Sequence, residues 1–265
     1  MAGLPVCKAH AYGNDFVLVP ASDASGDPSV LARRLCDRHH GVGADGVILF
    51  EIRDRRATMR LLNADGSFSE LSGNGLRCLA ALVARRQNLA VGAVVTVDTG
   101  AGVKTLELLT IDAFRYSFTA AIGQPVGLRR VEIDVLGTTV TASVLSMGNP
   151  QCVVLGPLPE ASRFNELGPA LAAHPMFPAG TNVEFACVDA PDRVRILIWE
   201  RGVGPTTSSG TGASAAAVAA AAHGGAQRTV DVGAPGGTQR VEWRDDGVYL
   251  TGWAEVVLEG TAYLA

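Results

Sequence analysis

Lysine is nearly missing from this sequence. Only Lys8 and Lys104 carry an ammonium group, and arginine supplies the rest of the positive charge. No block of like charge marks a tail or linker. The net charge of −4 and a pI near 5.7 leave no basic footprint for tracking phosphates, which argues against nucleic acid as a partner. Long apolar runs are absent too. None approaches the roughly 18 residues that a bilayer helix needs, and the opening Met1-Ala2-Gly3-Leu4-Pro5 lacks the basic and apolar regions of a signal peptide. The expectation is a cytoplasmic protein with no membrane partner. The five cysteines, Cys7, Cys36, Cys78, Cys152 and Cys187, form no C-x-x-C pair and are odd in number. They read as reduced thiols serving as small buried hydrophobes, not as a disulfide framework.

Several chemical signatures are missing as well. There is no G-x-x-x-x-G-K-[ST] run, which excludes a P-loop, and no G-x-S-x-G or S-x-x-K to support a standard serine hydrolase. Gly41-Val42-Gly43-Ala44-Asp45-Gly46 spells the dinucleotide fingerprint. It follows a helix-like segment and precedes the strand-like Val47-Ile48-Leu49-Phe50, however, the reverse of strand–loop–helix, so it reads as a turn. His39 and His40 are adjacent, a poor arrangement for one ligand sphere, and no H-E-x-x-H accompanies them. No metal is expected.

What remains is a chain of 265 residues, 48% hydrophobic and only 6% aromatic, able to bury a sizeable core built on small apolar side chains. Strand signals recur at residues 94–97, 131–135, 139–144, 194–199 and 248–250, with hairpin turns at Leu136-Gly137 and Asp245-Asp246-Gly247. Helix-period segments are fewer: Ser29 to Asp37, about Leu76 to Gln87, a short one near Leu167 to Ala173, and an alanine-rich one from about Thr211. Alanine's helix propensity and small size make the last a helix packed inside the protein. The class is α+β with largely antiparallel or mixed sheets.

One internal echo organises the chain. Asn63 lies nine positions before Ser72, which opens Ser72-Gly73-Asn74-Gly75, and Glu200 lies nine before Ser209, which opens Ser209-Gly210-Thr211-Gly212. A fainter match pairs Gly13-Asn14-Asp15-Phe16-Val17 with Gly180-Thr181-Asn182-Val183-Glu184-Phe185. The simplest account is two pseudo-equivalent domains, each offering a Ser-Gly-x-Gly helix entrance, against the alternative of chance similarity between glycine loops. A Ser-Gly-x-Gly helix entrance suits an anion. Its glycines let a ligand approach, its first-turn N–H groups are unpaired, and the helix dipole adds positive character. Taken singly, either serine is equally an ordinary N-cap. Asn14, Asn63, Asn149, Asn182, Glu200 and Arg201 all fall in turn-like contexts, where asparagine is common for local reasons. Together they supply both signs of partner for a zwitterionic amino acid.

With these residues in view, the chain resembles the diaminopimelate epimerases, cofactor-independent amino-acid epimerases. The resemblance runs from Gly13-Asn14-Asp15-Phe16 through Asn63-Ala64-Asp65-Gly66-Ser67, Gly73-Asn74-Gly75-Leu76-Arg77-Cys78, Gly148-Asn149-Pro150 and Glu200-Arg201-Gly202 to Gly210-Thr211-Gly212-Ala213. It implies an α+β fold of two pseudo-symmetric domains, each a mixed or antiparallel sheet wrapped on a central helix: an N-terminal domain of residues 1–117, completed by the last strand at about 255–265, and a C-terminal domain of residues 118–254. It also implies a homodimer, a small-molecule amino-acid substrate and interconversion of LL- and meso-diaminopimelate, without pyridoxal phosphate, metal or other cofactor. By resemblance, Asn63, Asn182, Glu200 and Arg201 hold the distal amino-acid end, and Asn14 and Asn149 line the same site. Backbone N–H groups near Gly73, Asn74, Gly210 and Thr211 hold the reacting carboxylate.

The family's reaction uses two cysteines, one removing the α-proton as thiolate and one returning a proton as thiol. Here Ser72 and Ser209 stand at those positions. A thiol of pKa near 8.5 can be ionised by a helix N-terminus, whereas a serine hydroxyl needs a neighbouring base. With roughly 10²–10⁴ lost per positioned acid–base group, this form is expected to be severely impaired. A second departure is Gln151, where the family usually has histidine after Asn-Pro. Two alternatives stay open: a non-catalytic diamino-acid-binding relative, and a relative with other racemase or dehydratase chemistry.

Overall fold

A computed structural model describes residues 3–264. The chain divides into two compact units, one running to Ala120 and resuming at Gly252, the other spanning Ala121–Thr251.

The first unit is built from β1 (Leu4–Ala11), β2 (Asn14–Pro20), α1 (Pro28–Cys36), β3 (Gly46–Arg53), β4 (Arg56–Asn63), β5 (Phe68–Ser69), α2 (Gly73–Arg86), β6 (Val94–Thr99), β7 (Gly102–Asp112) and β8 (Arg115–Gly123). β1 and β2 pair antiparallel across the two-residue turn Tyr12-Gly13, both at positive φ, the geometry a tight hairpin demands. The chain then crosses through α1 to set β3 parallel to β2, returns antiparallel in β4, and crosses through α2 to set β6 parallel to β4. Parallel neighbours need such crossovers. α2 is buried along most of its length and packs its Leu79 and Leu82 among Leu18, Ile48, Leu106 and Phe118.

The second unit contains β9 (Val126–Val135), β10 (Thr138–Ser146), β11 (Pro150–Leu155), α3 (Ala161–Ala172), β12 (Asn182–Ala190), β13 (Arg193–Glu200), β14 (Gly204–Thr206), α4 (Gly210–His223), β15 (Thr229–Ala234), β16 (Gly237–Arg244) and the start of β17 (Gly247–Ala262). From β10 to β16 the pairings repeat those of the first unit strand for strand. β10–β11 and β12–β13 are antiparallel, while β11–β12 and β13–β15 are parallel across α3 and α4. α4 is apolar on every side and buried along nearly all its length. Its alanines let Ile196, Ile198, Val230, Val232, Val241 and Leu250 close around the backbone. The sheets are mixed, as the short turns and β-branched runs predict.

Three sequence expectations need correction. The fainter echo aligns the wrong residues. Asn14 follows Gly13 at the head of β2, and its structural counterpart is Asn149, which follows Gly148 ahead of β11. Asn182 pairs with Gln151 as Gly46 pairs with Phe16, so it answers to Gly46. Second, α3 begins at Ala161 and not near Leu167, because its first turns bury only Phe164 before Leu167, too sparse an apolar pattern to read as a helix. Gly168 is there for packing, since a Cβ would meet the Trp199 ring at 2.7 Å. Third, Cys187 is half-exposed, whereas Cys7, Cys36, Cys78 and Cys152 are buried as expected; all five thiols are free.

Candidate functional site

Each unit carries one helix entrance. In the first, Ser72 is the N-cap of α2, with extended φ, ψ of −129° and 123°, and its Oγ accepts a hydrogen bond from Gly75 N at 3.1 Å. Inside the first turn, Asn74 is buried and its Nδ2 donates to Asn14 Oδ1 at 3.2 Å. Arg77, one turn on, donates to Asn74 Oδ1. Burial of this guanidinium lowers its pKa, and the Tyr12 ring lies 5.7 Å beneath it.

Asn14 is anchored from its other side, where Nδ2 donates to Asp45 Oδ2 at 2.9 Å. Asp45 belongs to an ion network: Arg38 bonds it at 2.8 Å and Asp15 at 2.9 Å, and Lys8 reaches Asp15 at 3.0 Å. Burial pushes the Asp15 carboxyl up, but its bonds to Arg38 and Lys8 outweigh this and bring it down to about 2. Asn63 stands apart, exposed, donating to Ser67 Oγ at 2.9 Å within its own turn.

In the second unit Ser209 caps α4 in nearly the same conformation, φ −141° and ψ 126°, and its Oγ accepts from Gly212 N at 3.2 Å. Asn149 Nδ2 donates to Thr211 Oγ1 at 3.4 Å. Asn182 is buried and its Oδ1 accepts from the Arg201 backbone N–H at 2.9 Å. The Arg201 guanidinium donates to Ala179 O at 2.8 Å and lines an open groove of about 420 Å³ with Phe177, Gly180 and Trp199. Glu200 is half-buried. Gly73 and Thr211 are half-buried and Gly210 is buried, all at the first turns where N–H groups lack helical partners.

Chemically, each entrance offers outward-directed amides, the positive end of a buried helix and a hydroxyl. Among the described residues no histidine, lysine or carboxylate bonds either serine Oγ. The bond each Oγ makes is the N-cap bond from the amide three residues on. Burial pushes the thiols of Cys7, Cys36 and Cys152 up to about 12 and that of Cys78 higher still, and Cys187 is raised as well. Among the described residues no group of three or more histidine, cysteine or acidic side chains is arranged to hold a metal ion, and no helix is long and apolar enough to cross a membrane.

The chain matches the family described as diaminopimelate epimerase over residues 6–122 and 143–257. A diaminopimelate epimerase of Desulforudis audaxviator is 44% identical, covering 96% of this chain and 97% of its own. The chain belongs to the diaminopimelate epimerase family. A second member, from Desulfitobacterium hafniense, is 39% identical with 97% of each chain covered. Among solved structures, a hydroxyproline epimerase from Agrobacterium vitis shares the fold, with a TM-score of 0.70 at 18% identity over 99% of this chain and 92% of that one.

Within this family member the structure joins Asn14 to Asn74, Asn149 to Thr211 and Asn182 to Arg201, while Asn63 bonds only locally. Sequence reasoning missed Lys8, Asp15, Arg38, Asp45 and Glu184. The scarcity of lysine made Lys8 a signal, and Glu184 was a lone acid between Val183 and Phe185. Asp15 is linked to Arg38 and Asp45 across 23 and 30 residues, which no local pattern reveals.

Proposed function

We propose that this chain binds diaminopimelate in the manner of its family and that Ser72 and Ser209 stand at the two proton-transfer positions. One observation carries the reading. Both serines are N-caps with matching backbone angles and the same bond from the amide three residues on. A cysteine side chain differs from serine by one atom, so the recognition geometry is retained while the acid–base group is lost. The first-turn amides at each entrance suit a carboxylate, and Arg201, Glu200 and Asn182 in the second unit, with Asn63 in the first, suit the ligand's distal amino and carboxylate groups. Amides aimed at that carboxylate also disperse charge when the α-proton leaves.

Turnover is the property that suffers. A capping hydroxyl without a base neither abstracts the α-proton nor replaces a thiolate, so epimerisation falls by roughly 10²–10⁴ for each position. The chain is further read as a cytoplasmic homodimer, for which sedimentation at micromolar concentration is the check.

Calorimetric titration of the unaltered chain with meso-diaminopimelate tests binding. Saturable binding, with no α-proton exchange into deuterated water, is the expected result; absence of binding contradicts the proposal.

A further inference from the structure

Glu184 takes no part in the chemistry above. It sits in β12, is fully buried, and packs its carboxyl against Gly212 in the first turn of α4. Its oxygens lie 2.9 and 3.3 Å from one terminal atom of the buried Gln151 carboxamide. The other terminal atom of Gln151 lies 2.7 Å from Asn149 Oδ1 and 3.2 Å from Thr211 Oγ1.

The carboxamide has two orientations, and the charge on Glu184 selects between them. An ionised carboxylate accepts only, so the Gln151 nitrogen must turn toward it, which sets the Gln151 oxygen against Asn149 Oδ1 at 2.7 Å. That contact puts two acceptors together unless Asn149 also turns over. A neutral acid removes the conflict. Its O–H is given to Gln151 Oε1, and Gln151 Nε2 donates to Asn149 Oδ1.

The surroundings favour the neutral form. The groups that act on Glu184 are its own burial and the Glu200 carboxylate on β13, both of which raise its pKa, with no cation among them. From β11 it is faced by Cys152, itself pushed up to about 12 by burial first and Glu184 second. α4 contributes no titratable side chain to its first turn.

We propose that Glu184 is a positioning residue: as a neutral carboxylic acid it donates to Gln151 Oε1 and locks the carboxamide nitrogen onto Asn149, fixing Asn149 beside Thr211 in the first turn of α4. Loss of that proton turns Gln151 and releases Asn149. The effect on ligand affinity rests on the proposed function; the state of the carboxyl does not.

Infrared spectroscopy of the full chain, without ligand, reads that state. The carbonyl stretch of a protonated carboxyl persists at about pH 7, where ordinary aspartate and glutamate are ionised, and Glu184→Gln removes it. A carboxamide at position 184 donates to Gln151 in the same way. Affinity for meso-diaminopimelate in Glu184→Gln therefore stays within about threefold of the unaltered chain near neutrality and toward alkaline pH follows only the titration of the ligand's own ammonium groups. The unaltered chain weakens at least about fivefold more than Glu184→Gln as its protonated-carboxyl band titrates away. No such band at neutral pH, a band that survives Glu184→Gln, or an affinity that holds while the band disappears overturns the proposal. The pH titration of the unaltered chain decides the matter even if the variant fails to fold. Failure of diaminopimelate to bind with the band present contradicts the functional reading instead.

Discussion

Glu184 and Gly212 compete for one space: a Cβ on Gly212 would stand 2.6 Å from Glu184 Oε1. Gly212 is also the amide that bonds Ser209 Oγ. Alanine elsewhere in a helix interior stabilises relative to glycine by roughly 0.5–1 kcal/mol. Here the buried carboxyl has no solvent to move into, so Gly212→Ala is expected to destabilise by about 1–3 kcal/mol in urea denaturation. Stabilisation would show that the carboxyl is free to shift.

The ion network behind Asn14 gives an acid-range signature. Asp15 is lowered from its ordinary 3.8 to about 2 because bonds to Arg38 and Lys8 overcome the cost of burial. A depressed carboxyl contributes stability that is fully present above its unfolded pKa and lost as pH falls through its folded one, so the window is from about pH 4 to about pH 2. The amount is about 2 kcal/mol. Asp15→Asn lacks this component, and its unfolding free energy should change correspondingly less between about pH 5 and pH 2. An unchanged acid slope contradicts the assignment.

Much of this fold was legible and part was not, for physical reasons. The Leu136-Gly137 hairpin and the alanine helix are written in local chemistry, because turn residues and small apolar side chains leave few alternatives. Tyr12 in the left-handed region of the β1–β2 turn is not, since tyrosine gives no turn signal; its ring is held instead against Trp253 at 4.4 Å. The two serine entrances were visible because cap, glycine and helix are contiguous. The true partner of Asn14 was hidden because the equivalence with Asn149 depends on strand order, which only the assembled sheets define. Glu184 was lost inside an apolar run.

Cysteine exposure makes a third prediction. Cys187 is half-exposed, while Cys7, Cys36, Cys78 and Cys152 are buried. A thiol reagent should therefore modify one cysteine rapidly in the folded chain, and the others only at the rate of unfolding. Two or more fast thiols would mean that the cores open readily.

Arg201 lines its groove with a guanidinium that spends one donor on Ala179 O. Arg201→Ala removes a charge-assisted fork to a carboxylate, typically about 1.5–3 kcal/mol or roughly 10–100-fold in affinity. Calorimetry should find binding of diaminopimelate lost or weakened to that degree. Equal affinity would remove Arg201 from the ligand's distal end.

The central claim is that recognition is intact and only the two proton-transfer groups are missing. Exchange of the α-proton of LL-diaminopimelate into deuterated water measures this directly, comparing the unaltered chain with the double variant Ser72→Cys, Ser209→Cys. The account predicts exchange and epimerisation in the double variant and next to none in the unaltered chain. Full activity in the unaltered chain, or none in a folded double variant that binds the ligand, would contradict it.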